Sequence, residues 1–117
     1  MTKEQIALAK RAVACRGWRL MSGMRTHEGQ VIDCVDFETG QAYSGEWDVV
    51  IGALPDLTDP ATVGCLLALV REARQSPRTH VLYIEGLERW ECADREQVHS
   101  CGVTEAEALV VALEEAQ

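Results

Sequence analysis

The strongest constraint on the fold is an apolar segment at residues 61–70 with helix-boundary signals on both sides. Before it, the Asp59 side chain can accept hydrogen bonds from free backbone N–H groups, and Pro60 suits the first helical position because no N–H is needed there. After it, Arg74 complements the helix dipole and Pro77 discourages continuation. Only one clearly polar side chain interrupts the segment, so no single stripe holds the apolar residues. We therefore predict a central buried helix that other elements cover on most sides.

The same segment bears on membrane insertion and on packing. Its apolar run is about ten residues, roughly half of what a membrane-spanning helix needs. We therefore expect no membrane span. Gly64 and Cys65 add little bulk to the helix, so we expect another element to approach it closely there.

Length and charge limit the class of protein. With 117 residues, 47% of them hydrophobic and 26% charged, the chain has the composition of one globular domain over residues 1–117. Nineteen acidic residues against eleven basic ones give a formal net charge of −8. This charge opposes nonspecific attraction to nucleic acids and anionic membranes, and it favours a basic partner surface. We therefore expect no direct nucleic-acid contact.

The cysteines indicate a reducing compartment. They are odd in number and widely spaced, and most lie in apolar segments: Cys15, Cys34, Cys65, Cys92 and Cys101. These features are typical of reduced core residues. The N-terminal segment also lacks the long apolar region of a secretion signal. We therefore expect a cytoplasmic protein.

Two further helices are predicted near the ends of the chain. Thr2 and Gln5 have the spacing of a capping box, at the start of a helix that runs to about Arg16. Thr104 and Glu107 have the same spacing before the C-terminal helix, whose apolar residues recur at helical intervals. We expect the C-terminal helix to pack by one face.

Alternating and β-branched patterns predict strands between these helices. The predicted strands are residues 18–21, 31–37, 41–43, 47–51, 80–85, 87–93 and 97–101. Turn residues separate 31–37 from 41–43, and Gly86 separates 80–85 from 87–93, so each pair should form an antiparallel hairpin. The order of elements predicts an α+β fold, with three helices packed mainly on one face of an antiparallel sheet of about four to six strands.

Two segments carry a resemblance. Residues 54–73 read Leu-Pro-Asp-Leu-Thr-Asp-Pro-Ala-Thr-Val-Gly-Cys-Leu-Leu-Ala-Leu-Val-Arg-Glu-Ala, and residues 105–116 read as an alanine-rich helix. In these segments the chain resembles a family of small uncharacterised proteins encoded in bacteriophage and prophage genomes. The first segment is the more specific, because proline, glycine and cysteine are interleaved with leucines. The resemblance implies a phage or prophage origin in a bacterial host, and it implies no activity, cofactor or active-site residue.

Metal and enzyme sites have little support in the sequence. Zinc requires thiolate and imidazole donors, and the best candidates are Cys92, His99, Cys101 and Cys34. No paired Cys-x-x-Cys spacing occurs among them. A cysteine nucleophile would need a nearby histidine, and no pattern pairs a cysteine with any of His27, His80 and His99. We predict a non-enzymatic protein without a cofactor or bound metal.

Acidic residues are densest between residues 85 and 96. Carboxylates there would attract the lysines and arginines of a partner and speed association. The predicted partner-binding residues are Glu85, Glu88, Trp90, Glu91, Asp94 and Glu96. Tryptophan commonly anchors interfaces, although Trp47 and Trp90 also suit sheet packing. Two interpretations of the carboxylates remain open, a solvated acidic face and a mimic of nucleic-acid phosphates.

These observations favour a phage-derived accessory protein that binds a bacterial host protein or complex. The leading hypothesis is an inhibitor of an antiviral defence system such as CRISPR. Two alternatives remain, a structural or assembly protein of the phage that acts as a homo-oligomer and a small metal-dependent enzyme. The first alternative predicts self-association, and the second predicts bound metal or a cysteine with a strongly perturbed pKa.

Overall fold

A computed structural model describes residues 2–45 and 48–116. Its elements, in chain order, are α1 (Lys3–Val13), β1 (Cys34–Val35), β2 (Ala42–Ser44), β3 (Asp48–Val50), α2 (Pro60–Arg74), β4 (His80–Ile84), β5 (Arg89–Ala93), β6 (Val98–Gly102) and α3 (Glu105–Glu115). The predicted α+β fold with three helices is confirmed. The predicted single sheet is wrong, because the strands form two antiparallel three-stranded sheets, β1-β2-β3 and β4-β5-β6.

Along the chain, α2 lies between the strands of the first sheet and those of the second. After β3 the chain passes through an irregular segment and then through the fifteen residues of α2, which advance it by about 22 Å. The strand β4 therefore begins away from the open edge of β3. It pairs with β5 instead, in consecutive pairs from His80 with Ala93 to Ile84 with Arg89.

Both predicted hairpins are confirmed. In the first, Cys34 pairs with Tyr43 and Val35 with Ala42. The second is the β4–β5 pair described above. Trp47, which we considered as a possible interface anchor, lies outside the residues that the structure describes.

Two predicted strands differ from the structure. Residues 18–21 form no strand, and residues 31–37 contribute only β1. Backbone hydrogen bonds in the preceding loop compete with a longer strand: the Ile32 N–H donates to Met24 O at 2.8 Å, and the Gly23 N–H donates to Ile32 O at 2.8 Å. Met24 and Ile32 are buried in this arrangement, so tertiary packing overrides the local strand preference.

The helix starts follow local capping chemistry. The helix α1 begins with the complete predicted capping box. At the start of α2, the Asp59 carboxylate accepts a hydrogen bond from the Thr62 N–H at 3.0 Å. At α3, Thr104 accepts one from the Glu107 N–H at 3.1 Å, while the Glu107 carboxylate accepts from the Val103 N–H instead of that of Thr104. All three predicted starts are confirmed.

The central helix is less enclosed than predicted. The buried residues of α2 are Thr62, Leu66, Leu69 and Val70. Ala61, Gly64 and Ala68 form an exposed stripe, and a Cβ placed on Gly64 would meet nothing within 4 Å. We predicted that other elements cover α2 on most sides and that one of them approaches it closely at Gly64. Both predictions are therefore wrong. The free energy gained by burial scales with the apolar area buried, so covering these small residues would stabilise the fold only slightly.

Among the described helices, α3 is the most enclosed. It contacts the second sheet as well as α1 and α2, and its buried residues are Ala106, Ala108, Leu109, Val110, Ala112 and Leu113. The expectation that α3 packs by one face is therefore wrong. Close approach occurs here, because a Cβ on Gly102 would lie only 2.7 Å from the Ala108 backbone nitrogen.

Candidate functional site

The turn of the β4–β5 hairpin carries part of the predicted acidic set. A 3-10 turn over Glu85–Leu87 links the strands, and the Glu88 N–H donates to Glu85 O at 3.3 Å. Glu88 adopts a left-handed conformation with φ of 49°, which turns the chain into β5. Glu85, Leu87 and Glu88 are exposed, and Leu87 has a fractional exposure of 58%. We call these three residues the acidic tip, in which one apolar side chain lies between two carboxylates.

Two aromatic rings lie next to the acidic tip. Tyr83 and Trp90 face each other across β4 and β5. Their ring centroids are 5.5 Å apart at an interplanar angle of 63°, an edge-to-face arrangement that aromatic pairs prefer. Trp90 is half-buried against the main core, whereas Tyr83 is exposed. Trp90 therefore anchors the hairpin to the core and presents only part of its ring to the surface.

Glu91 is engaged within its own strand. Its Oε2 accepts hydrogen bonds from Arg89 Nε at 3.0 Å and Nη2 at 2.7 Å, and the Glu91 side chain is only 13% exposed. This interaction raises the pKa of Arg89 above its ordinary value. Side chains alternate along a strand, so Glu91 lies on the opposite face from Trp90. Its charge is therefore partly neutralised before any partner arrives.

Asp94 and Glu96 lie in the β5–β6 turn, at the other end of β5 from the acidic tip. Asp94 Oδ1 accepts hydrogen bonds from the N–H groups of Glu96 at 2.8 Å and Gln97 at 3.0 Å, and these bonds lower the pKa of Asp94. Glu88 and Asp94 flank the five residues of β5, which places their Cα atoms about 20 Å apart. The fold brings Glu85 and Glu88 together and separates them from Asp94 and Glu96.

A buried polar cluster joins the end of α2 to β6. The His99 side chain is 4% exposed, and its Nδ1 lies 3.2 Å from Arg74 Nη1. Its Nε2 lies 3.2 Å from Asp94 Oδ2, outside hydrogen-bond alignment. Arginine only donates, so Nδ1 accepts and Nε2 carries the hydrogen. The contact between Arg74 and His99 connects segments that are distant in sequence, and Asp94 lies beside it at the start of the β5–β6 turn.

The fold separates the cysteines considered as zinc ligands. Cys92 is fully buried, whereas Cys101 and Cys34 are exposed. Cys92 is opposite Ser100 and Cys101 is opposite Glu91, so the two thiols lie on different faces of the sheet. Cys34 belongs to the other sheet. Within residues 2–45 and 48–116, no three or more His, Cys, Asp or Glu side chains are arranged to hold a metal ion.

The thiols and histidines considered for covalent catalysis do not meet in the described part of the chain. Burial raises the pKa of three thiols, Cys15, Cys65 and Cys92, which lowers their thiolate fraction. His27 Nδ1 lies 3.2 Å from Leu54 O, and His80 Nδ1 lies 3.0 Å from Arg78 O. These ring nitrogens therefore contact backbone oxygens instead of a thiol.

Sequence reasoning missed the apolar member of the acidic tip. It assigned Leu87 to the strand over residues 87–93, whereas Leu87 lies in the turn and the strand begins at Arg89. A usable signal was present in residues 85–88, where a glycine and a leucine lie between two glutamates. A glycine next to charged residues is typical of a turn. The exposure of Leu87 itself depends on the hairpin geometry.

Comparison with known protein families, curated proteins and solved structures finds no match for the chain. Across the described residues, no helix has both the length and the apolar character needed to cross a membrane. The geometry of the candidate site is therefore the basis for a functional proposal.

Proposed function

We propose that this protein is a non-enzymatic accessory protein of phage or prophage origin that binds a bacterial host protein or complex inside the host cell. Its action is to inhibit an antiviral defence system such as CRISPR. The contact is made by the acidic tip, and the partner presents lysines or arginines around a small apolar depression. The observation that carries the proposal is the exposure of Leu87 between the carboxylates of Glu85 and Glu88 on one tight turn.

The charges of the acidic tip are available to a partner. Among the described residues, neither Glu85 nor Glu88 has a basic side chain within 4.0 Å, in contrast to Glu91. A basic partner would therefore meet carboxylates that no ion pair within residues 2–45 and 48–116 neutralises. Attraction between the negative chain and a positive surface raises the association rate and favours one orientation.

The acidic tip also has a rigid support, which reduces the entropy lost on binding. The strands β4 and β5 pair over their full lengths, and β5 also pairs with β6. Trp90 packs against the core next to the turn. The tip is thus presented in a defined conformation before any partner arrives.

The proposal is tested by reversing the two charges of the tip. Glu85→Lys/Glu88→Lys raises the formal net charge from −8 to −4. We expect this double variant to retain its fold, since both side chains are exposed, and to bind the captured host complex at least about tenfold more weakly. The measurement is affinity capture from bacterial lysate at moderate salt, followed by titration of the purified complex.

The matched control is Glu4→Lys/Glu28→Lys, which changes the net charge by the same amount at exposed positions outside the tip and outside the other predicted partner-binding residues. We expect this control to bind nearly as well as the unmodified protein. Equal losses in both double variants would show that net charge governs binding, and unchanged binding in the tip variant would remove the tip from the interface.

A further inference from the structure

His99 occupies an irregular position in the second sheet. Cys92 pairs with Ser100, and the next residue of β5, Ala93, pairs with Val98. No residue of β5 is therefore opposite His99, which is the extra residue of a β-bulge. A bulge redirects a side chain from the regular alternation of a strand. Here it places an ionisable imidazole in the interior, since the His99 side chain is only 4% exposed.

The imidazole of His99 lies between a cation and an anion. Its Nδ1 lies 3.2 Å from Arg74 Nη1, and its Nε2 lies 3.2 Å from Asp94 Oδ2. Because arginine only donates, Nδ1 is the acceptor and Nε2 carries the hydrogen. Within residues 2–45 and 48–116, this buried Nε2 has no aligned hydrogen-bond partner. A buried donor without a partner costs free energy, so this arrangement requires an explanation.

Protonation would reverse the preference of His99 between its two neighbours. An imidazolium carries a hydrogen on both ring nitrogens, so Nδ1 would lose the lone pair that accepts the hydrogen bond from Arg74. Two cationic donors at a distance of 3.2 Å repel each other. The attraction to Asp94 would increase at the same time, because the Nε2–H would then belong to a cation that faces a carboxylate.

The other ionisable groups around this contact give Arg74 a second acceptor. Glu115 Oε2 on α3 lies 3.8 Å from Arg74 Nη2, and the Glu115 side chain is 56% exposed. Arg74 can therefore exchange the imidazole for this carboxylate. Cys92 on β5 interacts electrostatically with Arg74 and Asp94, but burial raises the pKa of its thiol, so Cys92 stays uncharged near neutral pH.

We propose that His99 is a pH-sensitive switch between two contacts. Neutral His99 holds Arg74 at the end of α2, whereas protonated His99 releases Arg74 to Glu115 and binds Asp94. Mild acidification, over the range in which histidine side chains change charge, therefore loosens the link between α2 and β6 and tightens the link between β6 and the β5–β6 turn. The switch lies at the other end of β5 from the acidic tip, so it is independent of the proposed host contact.

The test is a titration of the isotope-labelled full chain by nuclear magnetic resonance, from about pH 8 to about pH 5.5. At the alkaline end we expect a hydrogen on Nε2 of His99 only, and magnetisation transfer between the Arg74 side chain and the His99 ring. At the acidic end we expect hydrogens on both ring nitrogens and the loss of that transfer. A His99 ring that stays neutral at the acidic end, or an Arg74 contact that survives its protonation, would overturn the proposal.

A histidine variant tests whether His99 drives the movement of Arg74. In His99→Gln an amide oxygen can accept the hydrogen bond from Arg74 without titrating, so the Arg74 Nε–H signal should no longer shift over this pH range. The matched control His27→Gln removes a histidine whose Nδ1 contacts Leu54 O instead, and it should keep the shift. An Arg74 shift that persists in His99→Gln would mean that another group drives it, which overturns the proposal.

Asp94→Asn tests the second contact. Asparagine Oδ1 can still accept hydrogen bonds from the N–H groups of Glu96 and Gln97, but the anion that faces Nε2 is lost. The contact between Arg74 and His99 should then persist to a pH at least about one unit lower, which is a tenfold higher proton concentration. An unchanged pH profile in the folded variant would show that Asp94 does not receive the protonated ring, and the switch between two contacts would be wrong.

Discussion

The two sheets of this protein are built on different scales. The strands β4, β5 and β6 have five residues each and lie against α3, whereas β1, β2 and β3 have two or three residues each. The main core contains thirteen of the described buried residues, and the smaller core beside β1–β3 contains five. The enclosed helix α3 supplies six of the thirteen residues of the main core, whereas the strands supply only Cys92, so helix packing accounts for most of the apolar burial there.

Individual polar contacts also hold the smaller sheet and the loop that precedes it. Asp36 holds the turn of Phe37 by accepting the Glu38 N–H, and Thr62 Oγ1 on α2 accepts the Arg25 N–H of the neighbouring loop at 2.8 Å. Each such bond contributes about 1 kcal/mol net. Two exposed turns therefore have different supports: the main core holds the acidic tip through Trp90, and local hydrogen bonds hold the turn that carries Phe37.

The largest expected effect tests the difference between the two cores. Leu109 is fully buried in the main core, and Leu69 is 1% exposed in the smaller core. We expect Leu109→Ala to lower the free energy of unfolding by about 3–5 kcal/mol and Leu69→Ala by about 2–3 kcal/mol, because a densely surrounded site collapses less around the cavity. Urea unfolding followed by circular dichroism measures both. An equal or larger loss for Leu69→Ala would contradict the ranking.

The larger sheet was also the easier one to predict. Val81 and Tyr83 alternate with their neighbours as strand residues do, and Trp90 and Cys92 do the same, so β4 and β5 were found within two residues of their ends. Helix starts were found because caps depend on side chains within about four residues. The strand predicted over residues 31–37 is reduced to β1 because Ile32 forms hydrogen bonds with Met24 and Gly23 in the preceding loop, an arrangement that no local pattern reveals.

The candidate site could be predicted only in part. Glu85 and Glu88 were identified by charge density, and the fold does bring them together. The separation of Asp94 from them follows from strand length and turn position, which composition does not reveal. The contact between Arg74 and His99 joins α2 to β6 across twenty-five positions of sequence. Its existence depends on the packing of α2 against α3, which brings the end of α2 near β6, and not on any local motif.

Two glycine substitutions should have the next largest effects on the free energy of unfolding, one lowering it and the other raising it. A Cβ on Gly102 would lie 2.7 Å from Ala108 N and 2.8 Å from Glu107 Cβ, where α3 meets β6. We expect Gly102→Ala to lower the free energy of unfolding by about 1–3 kcal/mol through overpacking. Gly64→Ala fills open space on the exposed stripe of α2, and it should raise that energy by about 1 kcal/mol through helix propensity. Paired urea titrations check the signs, and stabilisation by Gly102→Ala would contradict the close packing of α3.

The smallest effect concerns the link between α2 and the loop that precedes β1. Asp59 Oδ2 accepts hydrogen bonds from the Thr62 N–H at 3.0 Å and its hydroxyl at 2.9 Å, and that hydroxyl accepts the Arg25 N–H. Asp59→Ala should cost about 1 kcal/mol as a lost helix cap. It should also speed hydrogen exchange at the Arg25 amide, because the Thr62 hydroxyl loses the carboxylate that orients it. If the Arg25 amide of Asp59→Ala exchanges at the same rate as in the unmodified protein, Asp59 acts only as a helix cap.

The same link has a defined pH dependence. The hydrogen bonds from Thr62 lower the pKa of Asp59, so folding favours its ionised form. The resulting stabilisation is fully present above the unfolded value of about 4 and is lost as pH falls through the lower folded value. Asparagine caps a helix without titrating, so Asp59→Asn should lose less stability on acidification than the unmodified protein. Other carboxylates, such as Glu72 and Glu114, whose pKa values are also lowered, titrate in both proteins and cancel in the difference. If both proteins lose stability equally as the pH falls, Asp59 is bonded equally well when protonated. The link between α2 and the loop that precedes β1 would then depend on the Thr62 hydroxyl alone.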